Sequence, residues 1–241
     1  MIPGITASRR APPSGVSDPY FSNVSLLLHC DGAHGGKAFI DSSPAPKTIS
    51  AVGTAAISTA QSKFGGASAD FTVAGTRVLS VPYSNDLNLS SGDFTIEFWF
   101  FMTGNFSGVY LLDKDGVNAA AHPSYAATAS SSGVTFYLGS GTSLAALQPF
   151  TGAASVSANA WHHAAFTRSG ATVRVFLDGV LLSSGTQTVS ISDGGRPLNV
   201  GARYEGTNFP MLGYIDELRI TKGVARYAAS FTPPSAPFPN S

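Results

Sequence analysis

Apolar and polar residues alternate with a period of two along much of the chain. In Phe94-Thr-Ile-Glu-Phe-Trp-Phe, Phe94, Ile96, Phe98 and Phe100 share one face, and Thr95, Glu97 and Trp99 share the other. That is the signature of a β-strand. Trp161 to Arg168 repeats it, with Trp161, His163 and Ala165 on one side and His162, Ala164 and Phe166 on the other. Thr172 to Leu182 places Asp178-Gly179 between two β-branched or aromatic runs. Asp-Gly supplies the two positive-φ positions of a type I′ hairpin turn. Val134 to Leu138, Leu198 to Gly201 and Tyr214 to Ile220 read as further strands. The one helical candidate is a single turn at Val224-Ala-Arg-Tyr, and no internal repeat is visible. Short strands parted by Gly-rich turns every ~8–12 residues predict an all-β sandwich.

The two ends break the pattern. Residues 1–20 carry Pro3, Pro12, Pro13 and Pro19 with little apolar surface to bury, so they read as an extended arm. Residues 21–241 form the sandwich domain. At the far end, Phe231-Thr-Pro-Pro-Ser-Ala-Pro-Phe-Pro cannot continue a strand ladder. Its two phenylalanines, Phe231 and Phe238, are expected to pin the tail against the domain.

Composition narrows the function. Lys and Arg number 14, Asp and Glu 14, and charged residues make up only 12% of the chain. Zero net charge gives no field to steer a polyanion, so nucleic acid is excluded as a natural partner. An apolar share of 43% on so few charges hints at buried subunit contacts and an oligomeric assembly. No apolar run approaches the ~20 residues of a membrane span. Arg9 and Arg10 are not followed by an apolar core, so Met1 to Gly15 does not read as a secretory signal. The lone cysteine, Cys30, follows Leu26, Leu27 and Leu28 and reads as a small buried hydrophobe.

Candidate chemistry is sparse. Glycoside hydrolysis needs two carboxylates about 5–10 Å apart. The three glutamates, Glu97, Glu205 and Glu217, have no second carboxylate at strand-face spacing, and Asp216 and Glu217 are adjacent. A Ser-His-Asp site is open by composition, although no Gly-x-Ser-x-Gly elbow is present. His162-His163 cannot ligate one ion from the same strand face. His163 is expected in the core beside Trp161 with its ring nitrogens hydrogen-bonded. Lys63-Phe-Gly-Gly and Ser91-Gly-Asp lack the following helix of a phosphate loop. Asp31, Asp41 and Asp216 are candidate calcium ligands, with turn capping by Asp31 and Asp41 as the equal alternative. Loop aromatics and polar groups suited to a sugar or a protein partner are Arg203, Tyr204, Asn208 and Phe209, together with Asn105-Phe106 and the Asp113 to Tyr125 segment.

The order of several segments resembles the laminin G-like jelly-roll family of the concanavalin A-like lectins and glucanases. These are Leu27-Leu-His-Cys-Asp-Gly, Ile40-Asp-Ser-Ser, Lys63-Phe-Gly-Gly, Ser91-Gly-Asp-Phe-Thr-Ile-Glu-Phe-Trp, Trp161-His-His-Ala-Ala, Val175-Phe-Leu-Asp-Gly and Gly213-Tyr-Ile-Asp-Glu-Leu-Arg-Ile. Where relatives often carry an aromatic before the first Asp-Gly, this chain has Cys30. The resemblance implies a two-sheet antiparallel jelly roll and one structural calcium ion on Asp31, Asp41 and Asp216. With Asp18-Pro-Tyr-Phe leading in and Gly223-Val-Ala-Arg-Tyr and Phe231-Thr-Pro-Pro closing, it looks like the version found in bacteriophage structural proteins. The expectation is a non-enzymatic virion decoration protein on a capsid or tail surface. Its arm would dock on capsid or tail proteins, and its sandwich would bind cell-surface or mucus glycans. The alternative is a free carbohydrate-binding lectin module, with a glycoside hydrolase behind it. The glucanase carboxylate strand is not carried over, since only Glu97 stands near it.

Overall fold

The computed structural model describes residues 17–104, 106–114, 124–139, 147–188, 191, 194–203, 206 and 209–241. Among the described residues, fifteen strands follow in chain order. They are β1 (Val24–Leu28), β2 (Ser50–Gly53), β3 (Ala56–Ser58), β4 (Ser68–Asp70), β5 (Arg77–Val81), β6 (Phe94–Met102), β7 (Val109–Lys114) and β8 (Tyr125–Ser130). Then come β9 (Gly133–Leu138), β10 (Gln148–Ala153), β11 (Trp161–Ser169), β12 (Thr172–Leu177), β13 (Val180–Thr186), β14 (Leu198–Val200) and β15 (Gly213–Lys222). Two single-turn 3-10 helices, Phe21–Asn23 and Asn85–Leu87, are the only helical elements among the described residues. The strands form two antiparallel sheets, as the alternation predicted. One runs β13-β12-β11-β6-β15-β4-β3, with β1 also paired to β15; the other runs β10-β9-β8-β7-β14-β5-β2.

The inter-sheet core takes the residues assigned to one face of β6: Phe94, Ile96, Phe98 and Phe100 are fully buried. Phe166 of β11 stacks on Phe136 of β9 in the opposite sheet, with centroids 4.7 Å apart. Asp178 (φ 50) and Gly179 (φ 78) form the β12–β13 turn with positive φ at both positions, as expected. Cys30 is buried within the core cluster, and burial pushes its thiol pKa well up.

The other face of the first sheet is buried as well. Residues 223–241 lie across it and cover Thr95, Glu97, Arg219 and Thr221, all of which exclude solvent. Glu97 Oε1 accepts hydrogen bonds from Arg219 Nε (3.0 Å) and Nη2 (2.7 Å), and Oε2 accepts from the Tyr227 hydroxyl (2.8 Å). Arg219 and Arg226 both bond to Asp18, with Arg226 bidentate at 2.9 and 2.7 Å. Tyr227 stacks on Phe231, and Phe238 seals Val24 and Leu27 while its ring lies 3.8 Å from the Arg219 guanidinium. The tail phenylalanines thus pin the C-terminus as expected. The domain boundary shifts, however. Asp18 is buried, and its N–H donates to the Ser241 carbonyl. The folded unit therefore includes Asp18 to Tyr20, which the sequence assigned to the arm; residues 1–16 of that arm lie outside the described residues.

Register on β15 explains how these groups share one face. Asp216 pairs with Trp99 and Arg219 with Glu97, so β15 carries one extra residue there, a β-bulge with Glu217 at φ 51. The bulge returns Arg219 to the outer face, while Leu218 and Ile220 enter the core. His163 is corrected by the same geometry. It is buried, but on the outer face, 5.0 Å from Trp99 and with Nε2 3.5 Å from Glu97 Oε2. Trp161 lies against Phe101 instead. Both His163 ring nitrogens lack a hydrogen-bond partner, contrary to expectation.

Breaking a buried, hydrogen-bonded ion pair leaves an uncompensated charge. Glu97→Gln is expected to destabilise the fold by about 3–5 kcal/mol, measured by chemical denaturation. Burial alone would raise the Glu97 pKa, but the Arg219 charge, the adjacent His163 and the Arg219 hydrogen bonds bring it down from 4.5 to about 2. A folded pKa below the unfolded one means that the stabilisation is present above pH ~4.5 and fades toward pH ~2. Wild type should lose about 3 kcal/mol over that window from this group alone. The loss should be smaller in Glu97→Gln, and an identical acid profile would contradict the assignment.

Candidate functional site

One end of the sandwich is set by β6 ending at Met102, β15 starting opposite it at Gly213, and β7 starting at Val109. The connection from β14 to β15 crosses this rim. It is anchored by Gly201, whose N–H bonds to the Leu111 carbonyl and whose carbonyl accepts from Met211 N–H. A side chain at Gly201 (φ 90) would meet the Phe71 ring at 2.4 Å, so the close approach requires glycine. Arg77 braces the same segment, donating from Nε to the Met211 carbonyl at 3.1 Å.

On that scaffold Phe209 points outward. The residue is 57% exposed, yet its backbone holds φ 47, a region that a bulky residue enters only under constraint. The Phe209 carbonyl accepts from Tyr110 N–H at 2.9 Å, and Pro210 bridges to Tyr110 in parallel register. The two rings lie 5.9 Å apart. The Arg203 guanidinium sits 5.5 Å from the Tyr110 centroid. Two aromatic faces and a planar donor group make a shelf that can stack on an apolar C–H face and hydrogen-bond its hydroxyls.

Of the residues singled out in the sequence, Arg203 and Phe209 come together here, while Tyr204 and Asn208 lie outside the described residues. Tyr125 does not belong to the site. It is 1% exposed, and its hydroxyl donates to the Leu87 carbonyl at 3.1 Å, so it is a core residue with its polar end satisfied. Phe106 is also part of the core. Tyr110 was missed, because nothing local in Gly108-Val-Tyr-Leu distinguishes it; its role depends on where Phe209 lands.

The candidate calcium ligands separate. Asp31 and Asp216 lie close enough to interact electrostatically. Asp216 Oδ2 accepts from Lys63 N–H (2.7 Å) and Phe64 N–H (3.1 Å), while its buried Oδ1 has no hydrogen-bond partner. Burial, opposed by these N–H groups and reinforced by Glu217 and Asp31, pushes the Asp216 pKa up to about 8. Gly65 (φ 65) packs on Asp31 so tightly that a side chain would strike its carboxylate at 2.0 Å. Asp41 is elsewhere: Oδ1 accepts from Leu27 and Ser43 N–H, and Oδ2 from Lys47 N–H. It is a turn cap with its oxygens committed. Among the described residues no cluster of three or more His, Cys, Asp or Glu is disposed around one metal position. Asp216 thus keeps one buried oxygen without a partner near Asp31, whereas the Asp41 oxygens are committed to backbone N–H groups.

Of the three glutamates, Glu97 and Glu217 are committed to buried partners, and Glu205 lies outside the described residues. Glu97 is bound by Arg219, and Glu217 is buried against His29 (2.8 Å) and Phe238 N–H (2.8 Å). Among the described residues no helix is long and apolar enough to cross a membrane.

Residues 74–226 match the family model described as the concanavalin A-like lectin/glucanases superfamily, in its laminin G type 3 form. Similar solved structures include the binding domain of Paraclostridial Mosquitocidal Protein 1, with TM-score 0.67 and 14% identity, covering 86% of this chain and 50% of that one. Domain 4 of AbnA, an extracellular GH43 arabinanase from Geobacillus stearothermophilus, solved in complex with arabinotriose, gives TM-score 0.60 and 19% identity over 84% of this chain and 94% of that one. The binding domain of botulinum neurotoxin DC in complex with SialylT gives TM-score 0.58 and 13% identity, covering 85% of this chain and 49% of that one. The chain thus spans about half the length of the toxin binding domains. No curated protein matches the sequence.

Proposed function

The chain belongs to the concanavalin A-like lectin/glucanases superfamily, and on that premise we propose that it is a carbohydrate-binding module displayed on a bacteriophage particle. The observation that carries the sugar reading is Phe209, an exposed aromatic held at an unfavourable φ beside Tyr110 and Arg203. A backbone outlier at an exposed ring is maintained by its surroundings and marks a site with work to do. The arabinotriose complex of a domain with this fold, and the SialylT complex of another, support a sugar as ligand. In this reading the rings stack on the sugar and Arg203 fixes its orientation.

Placement on a capsid or tail rests on the phage-like lead-in and closing segments and on the Pro-rich residues 1–16, which would dock on a neighbouring virion protein. A free lectin module is the second reading, supported by the same shelf. The glycosidase reading loses its candidate residue, because Glu97 is buried in an ion pair. A structural calcium ion is also proposed, with Asp31 and Asp216 as its side-chain ligands. A cation there would neutralise the buried Asp216 carboxylate and tie β1 to β15, as its chemistry requires oxygen donors only.

On a glycan array and by calorimetry with arabino-oligosaccharides and sialylated oligosaccharides, wild type should bind at least one class. Removing a central aromatic anchor costs about 2 kcal/mol, so Phe209→Ala should weaken that binding ~30-fold without lowering Tm. Binding that survives Phe209→Ala unchanged would sink the assigned site. Deleting residues 1–16 should abolish particle association and leave sugar affinity intact; retained association would favour the free lectin. Excess calcium should raise Tm and a chelator should reverse it. That response should vanish in Asp216→Asn and persist in Asp41→Asn, whose Tm falls for loss of the turn cap.

A further inference from the structure

Ser157, His162 and Asp178 stand at the same end of the sandwich as the aromatic shelf. β11 begins at Trp161 opposite Phe101, and the turn preceding it is tied to the end of β6 by Asn159 N–H donating to the Met102 carbonyl at 2.7 Å. The next residue, Thr103, bonds the Leu212 carbonyl in the segment that carries Phe209. Asp178 lies in the β12–β13 turn and is fixed twice. Its N–H donates to the His163 carbonyl, and its Oδ1 accepts from His163 N–H at 2.8 Å. That leaves Oδ2 aimed at His162 Nδ1, 2.7 Å away. On the far side of the imidazole, Nε2 lies 2.9 Å from the Ser157 hydroxyl oxygen and 3.2 Å from the Ser157 carbonyl oxygen.

A turn cap needs only the Oδ1 contact. The full arrangement goes further, since in the neutral imidazole a carboxylate on Nδ1 selects the tautomer that leaves the Nε2 lone pair toward the hydroxyl, whereas in the imidazolium Nε2–H can donate to the Ser157 carbonyl. Nucleophile, base and orienting acid in that sequence of contacts define an acyl-transfer site by geometry, whatever the fold. Ser157 is exposed, so an ester can reach its oxygen, while His162 is largely buried and held between its two partners.

We propose that Ser157, His162 and Asp178 form a Ser-His-Asp site that hydrolyses short-chain acyl esters, such as acyl groups carried on a bound glycan. Ser157 Oγ attacks the ester carbonyl carbon as its proton passes to His162 Nε2. The tetrahedral adduct collapses, the C–O bond to the alcohol breaks, and His162 returns the proton to the departing alcohol. Water, deprotonated by His162, then cleaves the acyl-serine and releases the carboxylic acid, and the proton returns to Ser157. Asp178 holds the imidazolium throughout. The Asn159 N–H, spent on Met102, gives the developing oxyanion no donor. Each missing donor costs about 10²–10³ in rate, so turnover is slow beside that of dedicated hydrolases.

The choice of glycan esters rests on the sugar reading above, but the chemistry does not. The test therefore uses probes without sugar: p-nitrophenyl acetate for turnover and an alkyl fluorophosphonate for labelling. In labelling, the Ser157 oxygen bonds to phosphorus and fluoride leaves, with the proton taken by His162. Wild type should hydrolyse the acetate above buffer and acquire one phosphonyl adduct, located on Ser157 by peptide mass spectrometry. Ser157→Ala, on an exposed turn and with unchanged Tm, should lose both. His162→Gln should slow both by about a hundredfold or more, and Ser155→Ala, at a neighbouring exposed serine, should change neither. Labelling no faster at Ser157 than at Ser155, or acetate hydrolysis unaltered in Ser157→Ala, would overturn the site while leaving sugar binding untouched. Labelled Ser157 in a protein that binds no sugar would overturn only the glycan reading.

Discussion

Glu97 lies in the middle of the first sheet with its carboxylate turned away from the inter-sheet core, and it is nevertheless fully buried. A lone carboxylate there would be intolerable, so the chain must bring a cation and further donors to it. Arg219 supplies a forked pair of hydrogen bonds from the adjacent strand, and Tyr227 supplies another from the C-terminal tail. Arg219 then needs its own remaining donor satisfied, and Asp18 does this from the start of the folded chain. Asp18 in turn recruits Arg226. One buried charge thereby fastens two central strands and both ends of the domain.

The β15 bulge is the local concession that allows it. A regular strand would put Arg219 and Asp216 on opposite faces, because they are three residues apart. The extra residue at Glu217 puts both outward and still sends Leu218 and Ile220 into the core. The same step frees Glu217 to hold His29 and the Phe238 N–H, which locks the last turn of the tail. It also leaves Asp216 buried beside Asp31 with one oxygen unmet, the feature that makes a cation there chemically sensible.

A sheet fastened on both faces gives its rim a rigid base. Loops on such a base can hold conformations that they would not keep in isolation, and this is where Phe209 takes its positive φ and Asp178 its double tether. The proposed sugar recognition and the proposed ester chemistry would draw on the same property. Stacking rings and aligned proton-transfer groups both need positions fixed within fractions of an ångström before the ligand arrives.

By itself the sequence determined the strand class, the faces of β6 and β11, the Asp178-Gly179 turn and the pinning role of Phe231 and Phe238. Alternation and turn chemistry depend on residues within a few positions of each other, and the joint order of the short motifs carried the family. It also supplied Arg203 and Phe209 as loop groups of interest. Tertiary structure alone decided which alternating face counts as interior, because the cover over Glu97 and Thr95 comes from a tail about 130 residues further on, and the same tail brings Phe231 to His163. It removed Tyr125 to the core and Asp41 to a turn, and it brought Tyr110 to Phe209 and Ser157 to His162 and Asp178. Tyr125's burial and the meeting of Tyr110 with Phe209 rest on contacts between distant strands and loops, while Asp41 caps its own turn and Ser157, His162 and Asp178 meet within one hairpin neighbourhood, where the fold sets side-chain direction.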